Sequence, residues 1–223
     1  MSAKLIHLKT SILLFLCMSI ALSACVFPTP NVREPADWKQ AISSGRQSVV
    51  FGRIQWMEHG QEKTINGITS PVVPNLLRME DKSNRYGQVD DHGEFVWALE
   101  PGTYFIDKIT YVRPLAGTHF IYPRAAFRVP DSGRTYYIGT LKVDFARFAD
   151  RVGLVPDQVS VDVADQGEPA YAHALEKLKL HSADVEKSLL VQDRRLPDSV
   201  DANAESFMRA MTVLNLLFSG VAR

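Results

Sequence analysis

The sequence predicts a mainly β fold, either a sandwich or a small barrel, that ends in a helical extension. Between Ser48 and Val163, short runs of β-branched and aromatic residues alternate with turn signals. No segment from Ser48 to Val143 has apolar residues at helical spacing over the length of a helix, so βαβ units and a parallel sheet are not expected. Beyond Gly167 the apolar spacing becomes helical. The chain should therefore place its strands first and its long helices last.

The length and composition are those of one globular domain with a small appendage. The chain has 223 residues, 46% of them hydrophobic, and its 25 basic residues balance its 25 acidic ones. These values exclude a disordered or collagen-like chain and a large multidomain enzyme. A net charge of zero provides no basic field for nucleic acid, so no nucleic-acid partner is expected.

The first 24 residues have the layout of a secretory signal. Lys4 and Lys9 precede an apolar run, residues 12–21, of about ten residues. A membrane-spanning helix needs about 20 apolar residues, so this run is too short to be one. The alternative, a buried N-terminal helix, fits the charged start less well.

The end of this segment carries a specific motif, formed by Leu22, Ser23, Ala24 and Cys25. It resembles the lipobox of bacterial lipoproteins. In that family the cysteine sulfur receives a diacylglyceryl group, the signal is cut before the cysteine, and the new N-terminus is usually acylated. The resemblance implies a lipoprotein signal peptide at residues 1–24, lipidation at Cys25 with fatty acids such as palmitate, and a lipidated tether at residues 25–47.

The residues around Cys25 refine this prediction. Cys17 is not expected to compete as the lipidated residue, because bulky Phe15 and Leu16 precede it. Val26 follows Cys25, whereas an aspartate there tends to retain lipoproteins in the inner membrane. The resemblance thus implies a periplasm-facing protein of the cell envelope, anchored in the outer membrane. No thiol would remain for a disulfide, a redox centre or a cysteine-ligated metal.

Residues 48–166 are predicted to form the β domain. A short helix at residues 35–42 precedes it. Strands are predicted at residues 49–57, 63–68, 75–80, 94–99, 103–111, 120–122, 125–129, 135–143 and 159–163. Gly52 and Gly139 suggest bulges or edges within strands. Pro101 and Gly102 predict a hairpin with a type II turn, in which Gly102 has a positive φ.

A second resemblance lies in residues 93–104, which read GEFVWALEPGTY. They resemble the signature G-x-F-x-F-x-x-L-P-P-G-x-Y of carboxypeptidase regulatory-like, or prealbumin-like, β-sandwich domains, although Glu100 stands where proline is common. The pattern of residues 133–139 is similar to a strand entry seen in bacterial lipoproteins of this shape. Over residues 48–165 the resemblance implies an antiparallel Greek-key β-sandwich and a binding or structural role.

Residues 167–223 are predicted to be a helical C-terminal extension, with helices at residues 168–180, 182–190 and 201–219. The last helix carries one apolar stripe, formed by Phe207, Ala210, Met211, Leu214, Leu217 and Phe218. Two interpretations stay open. The stripe either covers a face of its own sandwich or remains partly exposed as a partner or membrane-surface site. The second makes four of its members possible interaction residues: Phe207, Met211, Leu214 and Phe218.

The sequence contains no recognisable catalytic or metal-binding motif. The histidines lack ligand spacing, and Asp90, Asp91 and Glu94 lack the frame of a calcium loop, which favours a solvated turn. Trp56 and Trp97 share strand faces with apolar residues, which favours core packing over a sugar-binding platform. We therefore expect no enzyme, cofactor or metal. The predicted role is structural or protein-interaction work in the envelope with a protein partner; the alternatives are a glycan-binding module and, less favoured, a hydrolase.

Overall fold

The computed structural model describes residues 28–32, 34–35, 38–58, 60–67, 71–113, 117–146, 158–165, 169–200 and 203–219. The predicted signal peptide and the predicted lipidation site Cys25 lie outside the described residues. In chain order the elements are α1 (Trp38–Ser43), β1 (Ser48–Glu58), β2 (Gln61–Glu62), β3 (Val72–Arg78), β4 (Ser83–Tyr86), β5 (Glu94–Leu99), β6 (Gly102–Arg113), β7 (Gly117–Ile121), β8 (Ala125–Val129), β9 (Thr135–Ala146), β10 (Gln158–Ala164), α2 (Pro169–Leu178), a 3-10 turn (Ser182–Asp184), β11 (Val185–Lys187), β12 (Val191–Gln192) and α3 (Ala204–Ser219).

The first of two sheets is built on β1 and β9, which lie side by side and run parallel. β2 and β5 pair with β1, and β10 pairs with β9, all in antiparallel orientation. β11 pairs in parallel with the beginning of β9. The two parallel pairs were not expected from the sequence. A parallel pair needs a long connection between its two strands. Several other elements lie between β1 and β9, and between β9 and β11, so both connections are long enough.

The second sheet is antiparallel in all of its described pairs. Its central strand β6 pairs with β3 along one edge, and with β8 and then β7 along the other. β4 extends the sheet beyond β3, and β12 extends it beyond β8. The described strands thus form two sheets rather than a closed barrel, and the predicted mainly β sandwich with a C-terminal helix is confirmed. The sheets are rich in antiparallel pairs, with the two parallel pairs as the difference from the prediction.

The two sheets bury one continuous apolar core between them. Phe95 and Trp97, predicted to share a strand face, stack on each other within this core. The indole N–H of Trp97 donates a hydrogen bond to the carbonyl oxygen of Gln88 at 2.8 Å. Trp56 packs at the margin of the core, with its ring centroid 5.2 Å from that of Tyr111. Both tryptophans therefore serve packing, as their strand positions predict.

Pro101 and Gly102 connect the two sheets, because β5 belongs to the first and β6 to the second. The predicted hairpin is therefore wrong; the strands on either side face the same core from opposite sheets. The φ of Gly102 is +156°, which is positive as predicted but far from the value of about +80° in a type II turn. A Cβ at this position would lie 2.7 Å from Oε2 of Glu80, a flexible side-chain end that can move, so glycine is favoured here by the backbone conformation rather than by close approach.

Gly52 and Gly139 form the bulge that the sequence predicts at these positions. The register between β1 and β9 shifts between Phe51 and Arg53, and Gly139 has a φ of +90°. A Cβ on Gly52 would lie 2.6 Å from the carbonyl oxygen of Gly139. The two parallel strands can approach this closely because Gly52 lacks a side chain, whereas Gly139 is favoured by its positive φ.

The segment after residue 167 contributes strands as well as helices. α2 packs on the outer face of the first sheet. The helix predicted at residues 182–190 is wrong, because the 3-10 turn leads directly into β11. The N–H of Ser188 donates to the carbonyl oxygen of Tyr137 at 3.0 Å, so pairing with the edge of β9 replaces helical hydrogen bonding. In the part of the chain that is described, no helix has the length and apolar character needed to cross a bilayer.

Candidate functional site

The C-terminal helix α3 lies on the outer face of the second sheet. The side-chain Oδ1 of Asn203 accepts a hydrogen bond from the N–H of Ser206 at 2.8 Å and caps the start of the helix. Three helix residues are buried against Leu77, Phe105 and Ala126 of the sheet, namely Ala210, Val213 and Leu214. The structure thus places the predicted apolar stripe against the protein's own sandwich.

A buried carboxylate holds the segment that leads into α3. Asp107 lies in β6 at a bulge, since Ile106 pairs with Leu76 and the next pair joins Lys108 to Asn75. Oδ1 of Asp107 accepts two hydrogen bonds of 2.8 Å, from the Ser199 hydroxyl and the N–H of Val200. Because these bonds join the centre of the sheet to the residues just before α3, they fix the position of the helix on the sheet.

A groove runs beside the C-terminal half of α3. It consists of two neighbouring cavities of about 480 Å³ and 450 Å³, which share Arg128 and Phe218 as lining residues. The first cavity lies between α3 and the sheet and is lined by Met79, Thr103 and Met211, among others. We call the two cavities together the α3 groove.

The walls of the second cavity are mainly apolar, and its rim is charged. Its apolar lining comes from β9, β12, α3 and two connecting segments, in the side chains of Pro130, Tyr136, Leu189, Val191 and Phe218. Arg128, Glu186 and Lys187 provide the charges. A concave apolar surface with a few polar groups is the usual form of a binding site for a ligand or a partner side chain.

The charged groups of the rim differ in how they are paired. Lys187 lies 3.0 Å from Asp165, and this hydrogen bond raises the pKa of the Lys187 ammonium above its ordinary value. Glu186 pairs with Arg134 at 2.6 Å. Within the described residues, by contrast, the exposed guanidinium of Arg128 makes no ion pair or hydrogen bond. Arg128 is thus the cation at this groove that is available to a partner.

Tyr136 forms part of the groove floor as a neutral side chain. Burial raises the pKa of its phenol, because a phenolate would be poorly solvated there. Its hydroxyl oxygen accepts a hydrogen bond from the N–H of Asp131 at 3.2 Å. The ring is therefore a fixed apolar surface rather than an ionisable group of the site.

The structure brings together three of the four predicted interaction residues. Met211, Leu214 and Phe218 line the α3 groove. Phe207 lies one turn earlier on the helix, where the ammonium of Lys82 is 4.2 Å from its ring centroid. The groove residues of β8, β9 and β11 were missed, because no sequence signal shows that these distant segments converge on the end of α3.

In the part of the chain that is described, the other polar residues considered in the sequence contact neighbouring side chains or close turns. His173 contacts Glu94 with 2.9 Å between Nδ1 and Oε2, and no group of three or more His, Cys, Asp or Glu side chains is arranged for a metal. Oδ1 of Asp90 accepts hydrogen bonds from the N–H groups of His92 and Glu94 at 2.9 and 2.8 Å. It therefore closes a turn, as predicted for this acidic segment.

A third cavity of about 530 Å³ lies where α1 meets the first sheet. Trp38 and Ile42 line it and pack against the apolar cluster beneath α2. These contacts place α1 on the domain. None of the predicted interaction residues lines this cavity, so the α3 groove remains the candidate site.

Comparison with known proteins adds little to this description. No family model matches the chain, and no curated protein sequence matches it. Among solved structures, it is similar to the crystal structure of a DUF3823 family protein from Bacteroides ovatus, with 12% sequence identity and a TM-score of 0.25. The match covers 54% of this chain and 83% of that chain. So low a TM-score supports no conclusion about family or function.

Proposed function

We propose that this chain is an exported lipoprotein of the bacterial cell envelope whose sandwich binds a protein partner in the α3 groove. The full four-position lipobox that ends in Cys25 supports the anchoring part of the proposal. A diacylglyceryl group plus an acylated N-terminus would anchor the chain stably, because more than one acyl chain is needed for lasting attachment. With Val26 next to the cysteine, the anchor is proposed to lie in the outer membrane and the domain in the periplasm.

The α3 groove is the observation that carries the binding part of the proposal. Phe218 and Leu189 present apolar surface in a concave site, and Arg128 stands unpaired at its rim among the described residues. A partner segment with one large apolar side chain and a neighbouring carboxylate fits this chemistry, because the side chain would fill the cavity and the carboxylate would pair with Arg128. We propose binding rather than catalysis for this site.

Charge reversal at Arg128 tests the binding part without disturbing the core. The Arg128 side chain is exposed, so Arg128→Glu should leave the melting temperature unchanged while it repels a carboxylate on the partner. Crosslinking in intact cells, followed by purification of this chain, should capture one stoichiometric partner with the wild type and much less of it with Arg128→Glu.

The matched control is Arg46→Glu, which makes the same charge change at an exposed residue outside the groove. It should capture as much partner as the wild type. Equal capture by all three forms, or equal loss with both variants, would contradict a partner site at the groove.

A further inference from the structure

Asn31 and Val32, within the predicted tether, are an integral part of the sandwich. The N–H groups of Asn31 and Val32 donate to the carbonyl oxygen of Tyr86 at 2.9 and 3.0 Å, and the N–H of Tyr86 donates to Oδ1 of Asn31 at 2.8 Å. Gln88 donates its N–H to the carbonyl oxygen of Val32 at 2.9 Å. The Val32 side chain is only 6% exposed and belongs to the core between the sheets. The chain is therefore fixed to the domain at Asn31 and Val32.

This attachment lies at one end of the sandwich. The described residues before Asn31 border a cavity of about 390 Å³ together with Pro71, Val72 and Val89. Val72 begins β3, and it pairs with Tyr111 near the end of β6. Tyr111 in turn packs on Trp56 near the end of β1. We call this the tether end, and the end that contains Gly102, Val129 and Thr135 the distal end.

The short segment between Cys25 and Asn31 limits the distance of the domain from the bilayer. Asn31 is six positions after Cys25 in the sequence, and six residues span at most about 20 Å when fully extended. Pro28 and Pro30, which lie within this stretch, restrict the backbone φ at their own positions. A strand as long as β6, with 12 residues, is about 40 Å long. A lipid on Cys25 would thus hold the tether end near the bilayer and leave the distal end far from it.

Of the five large exposed hydrophobic side chains among the described residues, three occur in the same half of the sandwich, and the other two, Met208 and Leu216, lie on α3. Phe120 on β7 is 52% exposed, Tyr122 is 42% exposed and Val159 on β10 is 36% exposed. Phe120 pairs with Thr110, which pairs with Val73 at the start of β3. Aromatic rings with a polar tip, such as tyrosine, favour the boundary between lipid and water. Lys108, whose ammonium lies 5.7 Å from the Phe120 ring, adds a cation at this surface.

We infer that the tether end of the sandwich rests on the lipid bilayer, with Phe120 and Tyr122 at the lipid–water boundary. The α3 groove lies towards the distal end, because Thr103, Pro130 and Tyr136 line it. The domain is therefore oriented so that its groove opens away from the membrane. This inference rests on the proposed lipidation of Cys25 and specifies the face that the anchored protein presents to a partner.

Distance-dependent fluorescence quenching tests this orientation. The processed lipoprotein is reconstituted into vesicles of phosphatidylethanolamine and phosphatidylglycerol that contain lipids with a nitroxide headgroup. A thiol-reactive fluorophore is attached at Gln61→Cys, near the tether end, or at Asp131→Cys, at the distal end; both positions are exposed. We expect several-fold stronger quenching at position 61 than at position 131. Equal or reversed quenching would overturn the inference.

Two further variants test the apolar contact, and the wild-type protein tests the anchor. Phe120→Ser should reduce quenching at position 61, whereas Met208→Ser, which changes a 63% exposed side chain on α3, should not. Equal effects of both would overturn the role of Phe120.

Wild-type protein that takes up the thiol-reactive label and fails to float with vesicles has an unmodified Cys25. That result would overturn the proposed lipidation together with the orientation, whereas floating protein with equal quenching would overturn the orientation alone.

Discussion

Asp107 shows how one buried residue connects two parts of the molecule. Its side chain is almost fully buried, and its Oδ1 bonds both Ser199 and Val200. The nearest cation among the described residues, the ammonium of Lys108, lies 4.0 Å from Oδ2.

The sequence predicts the bulges at Gly52 and Gly139, because glycine in a strand is unusual. It gives no such sign for Asp107, since an aspartate in an alternating strand is expected to face solvent.

Removal of this carboxylate should loosen the segment before α3. Asp107→Ala leaves the buried N–H of Val200 without its acceptor, which should lower the free energy of unfolding by about 1–3 kcal/mol. The matched control is Asp198→Ala, which removes an exposed carboxylate that pairs with Arg124 and should lower it by less than about 1 kcal/mol. Denaturant unfolding measures both. Equal losses would show that Asp107 does not fix this segment.

The elements that the sequence predicts well are those whose signal is local. The apolar stripe of α3 repeats over several turns, and β1, β5 and β9 contain long runs of β-branched and aromatic residues. β11 and β12 have only three and two residues, and they form because β9 and β8 offer them free edges. A prediction made from residues 182–190 alone cannot show that β9, far away in the sequence, offers a free edge with which these residues pair. The α3 groove escaped prediction for the same reason.

The packing of α3 gives a matched pair of leucines within one helix. Leu214 is 2% exposed and faces the sheet, whereas Leu216 is 61% exposed. Leu214→Ala should lower the free energy of unfolding by about 2–5 kcal/mol, because it leaves a cavity in a packed cluster. Leu216→Ala should change it by less than about 0.5 kcal/mol. Thermal or denaturant unfolding distinguishes them, and similar values for both would mean that α3 is not part of the folded core.

At the scale of the whole molecule, three apolar clusters hold the layers together. One lies between the sheets, a second beneath α3 and a third beneath α2. The chain after residue 167 completes both outer clusters and adds a strand to each sheet. Val32, from the segment predicted as a tether, completes the central core. Segments on both sides of the predicted domain therefore belong to one folded unit. Sequence patterns alone do not reveal this, because the contacts in these clusters join segments that are far apart in the chain.

This arrangement separates the proposed anchor from the folded core. Cys25 precedes every described contact of the sandwich, the first of which involve residues 28–32. Cys25→Ser should therefore abolish lipidation and membrane attachment without changing the stability of the domain. Metabolic labelling with a fatty-acid analogue and vesicle flotation measure the first effect, and thermal unfolding measures the second.

Cys17→Ser is the matched control for Cys25→Ser, because bulky Phe15 and Leu16 precede Cys17 and should keep it from serving as the lipidated residue. It should keep the fatty-acid label and the attachment to vesicles. Equal labelling of both variants and the wild type would contradict lipidation at Cys25. Loss of the label with Cys17→Ser alone would move the anchor to Cys17. The segment before Asn31 would then be 14 residues long, with a reach of about 50 Å, and the domain would no longer be held close to the bilayer.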